Sequence, residues 1–309
     1  MSVFHVPVLL HESVEGLNVS PDGIYVDATF GGGGHSAGIL KKLAGGRLFA
    51  FDQDEDATNN LPKDEKFFFI LGNFRFLKNY LNFYGINAID GLIADLGVSS
   101  HHFNTPERGF TYRSDAALDM RMNQQAKLTA GTVINGYDID HLTGLFRDYG
   151  ELDQARRIAG SIVHYRAEQR ITTTTQLVHC IEALIPRHAE NQFLSKVFQA
   201  IRIEVNQELE NLKQMLYSTT EMLKPGGRLV IISYHSLEDR LVKNFMRWGH
   251  GSEQPDKDIF GHSYEPYRMI TRKPVMAGEE EVRNNPRARS ARLRIAEKKQ
   301  GNATESRTY

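Results

Sequence analysis

The chain of 309 residues contains one cysteine, Cys180, so it can form neither an intramolecular disulfide nor a cysteine-built metal centre. Cys180 stands among Leu177, Val178, Ile181 and Leu184, the setting of a buried structural thiol rather than a nucleophile. Long apolar runs are missing: nothing approaches the roughly 20 residues needed to cross a bilayer, and no basic N-terminal region leads into an apolar stretch. The expectation is a protein without a membrane anchor, in a reducing, cytoplasmic setting. An excess of either charge is missing as well, with 37 Lys and Arg against 38 Asp and Glu. Net charge therefore points to no polyanionic partner and leaves only a local basic patch as a route to one. Metal-ligand spacing is also absent, since His101-His102 has no third or fourth ligand at a recognisable interval, and no metal is expected. The length allows one large domain or about two.

What is present begins with Tyr25-Val-Asp-Ala-Thr-Phe-Gly-Gly-Gly-Gly-His-Ser36. Residues 23–28 read as a buried strand and residues 36–43 as a helix. Four successive glycines between them permit a tight turn that a ligand can approach without intervening side chains. The next apolar run, Leu48-Phe-Ala-Phe51, ends on Asp52. An acid at that place can accept hydrogen bonds from both hydroxyls of an adenosine ribose, as in dinucleotide and S-adenosylmethionine enzymes alike. Asp27, just before the glycines, separates the two. A carboxylate there repels a pyrophosphate but not the cationic ammonium and sulfonium of S-adenosylmethionine. The pattern leans to methyl transfer, with a nicotinamide-dependent oxidoreductase as the competing enzyme.

Further strands are expected at 67–71, 89–94, 228–233, 267–271 and 290–296, alternating at first with helices as a parallel sheet requires. The connection from Leu96 to Arg121 is long, and loops of that length are often functional. From Ile134 to Phe198 the pattern is helical throughout. Leu142, Leu145, Phe146 and Tyr149 share one face, Leu152, Ala155, Ile158, Ala159 and Ile162 another, and 172–175 is a polar break suited to an N-cap. Arg147, Arg156, Arg157, Arg166, Arg170 and Arg187 occupy the other side. They read either as a solvated face or as a phosphate-contacting surface. A long helix is expected over 201–223, stopped by Lys224-Pro-Gly-Gly227.

Six motifs carry a resemblance: Phe30-Gly-Gly-Gly-Gly-His-Ser36, Asp95-Leu-Gly-Val-Ser-Ser100, Glu107-Arg-Gly-Phe110, Leu118-Asp-Met-Arg-Met122, Glu204-Val-Asn-Gln-Glu-Leu209, and the block from Lys224 through Tyr234-His-Ser-Leu-Glu-Asp-Arg240. In this order, across nearly the whole chain, they resemble the MraW-like family of 16S ribosomal RNA cytosine-N4 methyltransferases. The resemblance implies a class I S-adenosylmethionine-dependent methyltransferase fold, Rossmann-like, built from residues 1–110 and 199–309, with an all-helical, RNA-recognising insertion at 111–198. It implies methylation of the exocyclic N4 of a cytidine in the decoding region of 16S ribosomal RNA, with the small ribosomal subunit as partner. The family's cofactor positions fall on Gly33, Gly34, His35, Asp52, Phe74, Asp95 and His102. His102 replaces the usual glutamine, and Gly32 replaces the usual arginine of the glycine loop.

The chemistry asks for hydrogen-bond acceptors near the amine, because the lone pair of a cytosine amine is delocalised into the ring and must be localised before attack. Asp95 or a neighbouring backbone carbonyl is the candidate acceptor, with Tyr234 or His235 helping to hold the base. Asp95 serving the methionine ammonium instead, and His235 as a histidine satisfied within a tight loop, are the open alternatives. Asp119 and Arg121 either bind RNA or pair with each other. RNA contacts are expected from the helical insertion and from Arg287 through Arg294. An RNA-binding or assembly factor that has lost turnover is the remaining alternative of a different class.

Overall fold

The computed structural model describes residues 7–98, 105–252, 254 and 263–300. The chain divides into two compact units, residues 1–97 with 209–309, and residues 98–208.

The first unit is organised by a seven-stranded sheet: β1 (Ile24–Asp27), β2 (Arg47–Asp52), β3 (Phe67–Leu71), β4 (Ile89–Asp95), β5 (Leu223–Ser233), β6 (Tyr267–Met269) and β7 (Arg292–Lys298). Their order is β3-β2-β1-β4-β5-β7-β6. The first five run parallel, and β7 is antiparallel to both β5 and β6. The central strands are near-continuous apolar runs because both faces are covered: Leu48, Phe49, Ala50 and Phe51 are all fully buried. This order with a single reversed strand is the class I methyltransferase arrangement. The chain leaves β1 toward one side and β4 toward the other, so the carboxyl ends of β1 and β4 flank the point where open α/β sheets bind ligands.

Two sequence expectations are corrected along the chain. β5 begins at Leu223, earlier than residue 228, because Ile89 pairs with Leu223 and Gly91 with Arg228 across a register shift. Lys224-Pro-Gly-Gly227 is thus a bulged strand entry, with Gly226 at φ +82° and Lys224 held by Asp90 at 2.8 Å. The helix expected over 201–223 is two helices, Glu190–Asn206 and Glu208–Met222, parted at Gln207 with φ +51°. The cause is Asn206, whose amide donates to Met120 O at 2.8 Å and whose carbonyl accepts from Met122 N–H at 2.8 Å.

The second unit is helical: Ala130–Gly136, Ile139–Asp148, Ala155–Glu168, Thr174–Cys180 and Glu190–Asn206. Its own core buries Met120, Val133, Ile134, Leu142, Phe146, Ile158, Ile162, Leu177, Val197 and Ile201. Phe110 and Val205 belong to that core, which is why the unit extends to 98–208 rather than 111–198. Thr173 caps the helix that follows it in a reciprocal capping box with Gln176.

Candidate active site

At the end of β1 Asp27 is buried, 1% exposed, and turned inward. Its Oδ2 accepts from Ser36 Oγ at 2.7 Å and its Oδ1 from Thr29 N–H at 3.1 Å. Burial raises its pKa above the ordinary carboxylate value, against the opposing influence of His35 and Ser36. Asp27 therefore braces the glycine turn against the helix Gly34–Leu40 from behind.

The turn itself has Gly31 at φ +51° and Gly33 at φ +76°. A Cβ added at Gly31 or Gly32 would meet nothing within 4 Å, whereas one at Gly33 would lie 2.9 Å from the Phe30 ring and one at Gly34 2.6 Å from Pro7. The loop is thus open to a ligand at its first two glycines and packed at the last two.

Gly31 N–H donates to Asp52 Oδ2 at 2.8 Å, and Asp52 Oδ1 accepts from Asp54 N–H at 2.9 Å. This joins the carboxyl end of β2 to the turn. Beyond β3, Asn73 donates to Gln53 Oε1 at 2.9 Å and accepts from Arg75 N–H at 3.0 Å, which sets the short turn Phe74–Phe76 and leaves Phe74 half-buried. An open glycine turn, a carboxylate and an aromatic ring follow one another along the ends of β1, β2 and β3. These groups are of the kinds S-adenosylmethionine would need: the open turn at Gly31 and Gly32 could take its methionine side, Asp52 its ribose hydroxyls and Phe74 its adenine.

Asp95 ends β4. Its N–H donates to Thr29 Oγ1 at 2.6 Å, and its Oδ1 accepts the Tyr234 hydroxyl at 2.7 Å. Its Oδ2 lies 4.0 Å from His35 Nδ1, and about a quarter of the side chain (24%) stays exposed. Burial pushes its pKa up to about 6, opposed by His35 and by the Tyr234 hydrogen bond. Tyr234 follows β5, and its phenol is raised by burial, by Asp95 and by Glu238, so it remains a neutral donor. Gly97, at φ +90°, would place a Cβ 3.5 Å from the Tyr234 ring. His35 is buried and contacts Val8 O through Nε2 at 3.1 Å, an interaction in which the nitrogen donates because a carbonyl only accepts.

The structure joins Asp95 to Tyr234 and His35 but gives His235 another task. His235 caps the helix Ser236–Trp248, its Nδ1 accepting from Glu238 N–H at 3.4 Å and its Nε2 lying 3.2 Å from Glu238 Oε1. Glu238 Oε2 accepts from Tyr234 N–H at 2.9 Å. Sequence reasoning did not single out Thr29, Ser36 or Glu238. The signal for Glu238 was its place three residues after the cap, the usual capping-box position. His101 and His102 lie outside the described residues. A recess of about 620 Å³ lies elsewhere, along β3, lined by Phe69, Phe76, Tyr80, Phe83 and Tyr84.

The profile of the MraW methylase family matches residues 2–299. The chain belongs to that family. It is 53% identical over 298 residues to the ribosomal RNA small subunit methyltransferase H of Phocaeicola vulgatus, spanning 96% of this chain and 98% of the relative. The corresponding proteins of Porphyromonas gingivalis and Flavobacterium johnsoniae are each 52% identical, with 96% of this chain covered in both cases and 97% and 98% of the relatives. Among solved structures, an rRNA methylase from Streptococcus thermophilus covers 96% of this chain and 99% of its own at 15% identity and a TM-score of 0.41. TrmN from Thermus thermophilus covers 94% of this chain and 48% of its own at 10% identity and a TM-score of 0.43. This MraW-family protein is a methyltransferase with S-adenosylmethionine as its cofactor. No helix among its described residues is long and apolar enough to cross a membrane.

Of the six arginines expected on the outer side of the helical unit, four have partners within it. Arg147 pairs with Asp148 at 2.8 Å, Arg156 with Asp140 at 3.2 Å, and Arg157 with the Gln154 side chain at 2.9 Å. Arg166 donates to the carbonyls of Ile134 and Tyr137. Asp119 and Arg121 form a two-point ion pair at 2.6 and 2.8 Å.

Proposed function

We propose that this methyltransferase modifies the exocyclic N4 of a cytidine in the decoding region of 16S ribosomal RNA, acting in the cytoplasm on the small ribosomal subunit. The names of the relatives support a small-subunit RNA acceptor. The observation that carries the amine chemistry is the Asp95–Tyr234 pair at the carboxyl edge of the sheet.

When bound, S-adenosylmethionine supplies an electrophilic methyl group on its sulfonium. Gly31, Asp52 and Phe74 would hold the cofactor's methionine, ribose and adenine parts at the ends of the first three strands. Tyr234 fixes Asp95 by occupying Oδ1, which leaves Oδ2 as the acceptor for an amine N–H. Drawing on that N–H concentrates the lone pair on nitrogen and favours the tetrahedral geometry of attack. Above a pH of about 6 Asp95 is ionised and able to accept. His35 contributes as a neighbour of Oδ2, holding the glycine turn to Val8. His235 acts through the backbone by starting the helix that carries Glu238, and Glu238 in turn fixes the backbone of Tyr234.

The test is transfer of labelled methyl from S-adenosylmethionine to small subunits from cells that lack this protein, with the product nucleoside identified by mass spectrometry. N4-methylcytidine is the expected product. Label in another nucleoside, or none despite cofactor binding, overturns the reading.

A further inference from the structure

We infer that the C-terminal segment 270–291 is the surface on which the RNA strand flanking the target base lies, held by Arg272, Lys273 and Arg289. This deepens the acceptor reading above and rests on it.

Charge supplies the first observation. The whole chain is balanced, yet residues 268–299 carry ten Lys and Arg against four Glu. Several of those cations are consumed. Arg294 is buried and pairs with Asp239 at 2.6 Å, Arg292 reaches the same carboxylate at 3.5 Å, Arg268 pairs with Glu297 at 2.7 Å and Lys299 with Glu265 at 2.9 Å. Arg292 and Arg294 therefore leave the set of phosphate contacts expected from the sequence. Arg272, Lys273 and Arg289 are exposed and form no ion pair or hydrogen bond through their side chains among the described residues. Arg283 is exposed too, its Nε donating to the Glu279 carbonyl at 3.3 Å. Of the carboxylates close in sequence, Glu281 is spent on Leu9 N–H at 2.8 Å, while Glu279 and Glu280 stand exposed in the first turn of the helix Glu279–Asn284.

Placement is the second observation. β7 starts at Arg292 opposite Ser233, the last residue of β5, so the residues just before it sit at the edge from which Tyr234 emerges. Val275 bridges to Leu293 at that edge. Val275, Ala277, Val282, Ala288 and Ala291 share one apolar cluster with Tyr234 and Leu9. From Glu281 the bonding runs to Leu9, and from the adjacent Val8 to His35 beside Asp95.

The third observation is apolar surface among the cations: Ile270 is 39% exposed and Met276 47%. A strand with its target base drawn out presents phosphates together with ribose and base faces, so cations interleaved with exposed apolar side chains fit it better than free phosphate.

The test compares the wild-type protein with the triple variant Arg272→Ala, Lys273→Ala, Arg289→Ala, and with the charge-keeping Arg272→Lys, Arg289→Lys. Binding is read by fluorescence anisotropy with a single-stranded oligoribonucleotide of about 12 nucleotides and with purified small subunits. For the triple variant we expect RNA affinity to fall at least tenfold and KM for subunits to rise, with kcat and S-adenosylmethionine affinity unchanged. The slope of log affinity on log salt should drop by about 2, since each single-strand phosphate contact contributes roughly 0.7. The charge-keeping variant should bind nearly as the wild type. Unchanged affinity and salt slope in a triple variant that still binds cofactor would overturn the proposal, as would polyglutamate competing as well as RNA. If the wild type binds RNA, loses that binding in the triple variant and yet methylates no subunit, the acceptor reading fails while this surface stands.

Discussion

The two units spend their polar residues differently. In the helical unit buried or paired polar groups complete the backbone: Thr173 and Gln176 close a capping box, Arg166 takes two carbonyls, Asn206 ties a helix end to Met120 and Met122. At the carboxyl edge of the sheet the polar groups answer one another and stop short of complete satisfaction. Asp95 keeps one oxygen toward His35 and partial exposure, and its pKa is displaced to about 6. Incomplete satisfaction together with a displaced carboxylate suits a site built for chemistry, whereas satisfied caps suit a scaffold.

The largest effect expected from breaking this contrast is at Asp95. Asp95→Asn should lower kcat about 10²–10³-fold, the usual loss when a preorganised transition-state hydrogen bond is removed, while cofactor affinity by calorimetry stays within a few fold. Weaker cofactor binding at unchanged kcat would instead assign Asp95 to the methionine ammonium. The same variant tests linkage. Asp95 titrates higher in the folded state than its ordinary value of 3.8, so the folded protein holds that proton more tightly and its ionisation costs stability above a pH of about 6. The Tm advantage of Asp95→Asn should therefore be present at pH 8 and fade as pH falls toward 4.

Next in size is the pH dependence of kcat. It should rise through an apparent pKa of about 6 and level off above it. Tyr234→Phe should cost roughly tenfold, in line with one hydrogen bond to a charged group, and should move that limb to higher pH, because the phenol favours the ionised carboxylate. A limb that stays in place would separate Tyr234 from Asp95.

The helical unit should respond in stability alone. Arg166→Ala should cost about 2 kcal/mol by denaturant unfolding, since two carbonyls lose a charged donor, with kcat on small subunits unchanged. Thr173→Ala should cost about 1 kcal/mol, the usual loss of an N-cap. Smallest, and opposite in sign, Gln207→Gly should stabilise by about 0.5–1 kcal/mol by relieving a left-handed residue at φ +51°. A fall in kcat from either of the first two would erase the distinction between scaffold and site.

Local chemistry in the sequence determined the alternating strands, the glycine turn after β1, the acid at the end of β2 and the cap at Thr173, because period, propensity and capping act between residues close along the chain. The class I character and the family were legible for the same reason, carried by short motifs. Three-dimensional pairing decided the rest. Asp95 and Tyr234 are 139 positions apart and meet only because β4 and β5 are neighbours. His235 looked equivalent to Tyr234 as a candidate, and the helix starting at Ser236 claimed it as a cap. Asp27 was turned inward by Ser36, and the expected helix broke at Gln207 because Asn206 found partners more than eighty residues away. Which arginines remain exposed and unpaired also depends on carboxylates brought near by the fold, such as Asp239 against Arg292 and Arg294. A charge pattern along the chain counts residues, while only packing determines which of them keep their charge available to a partner.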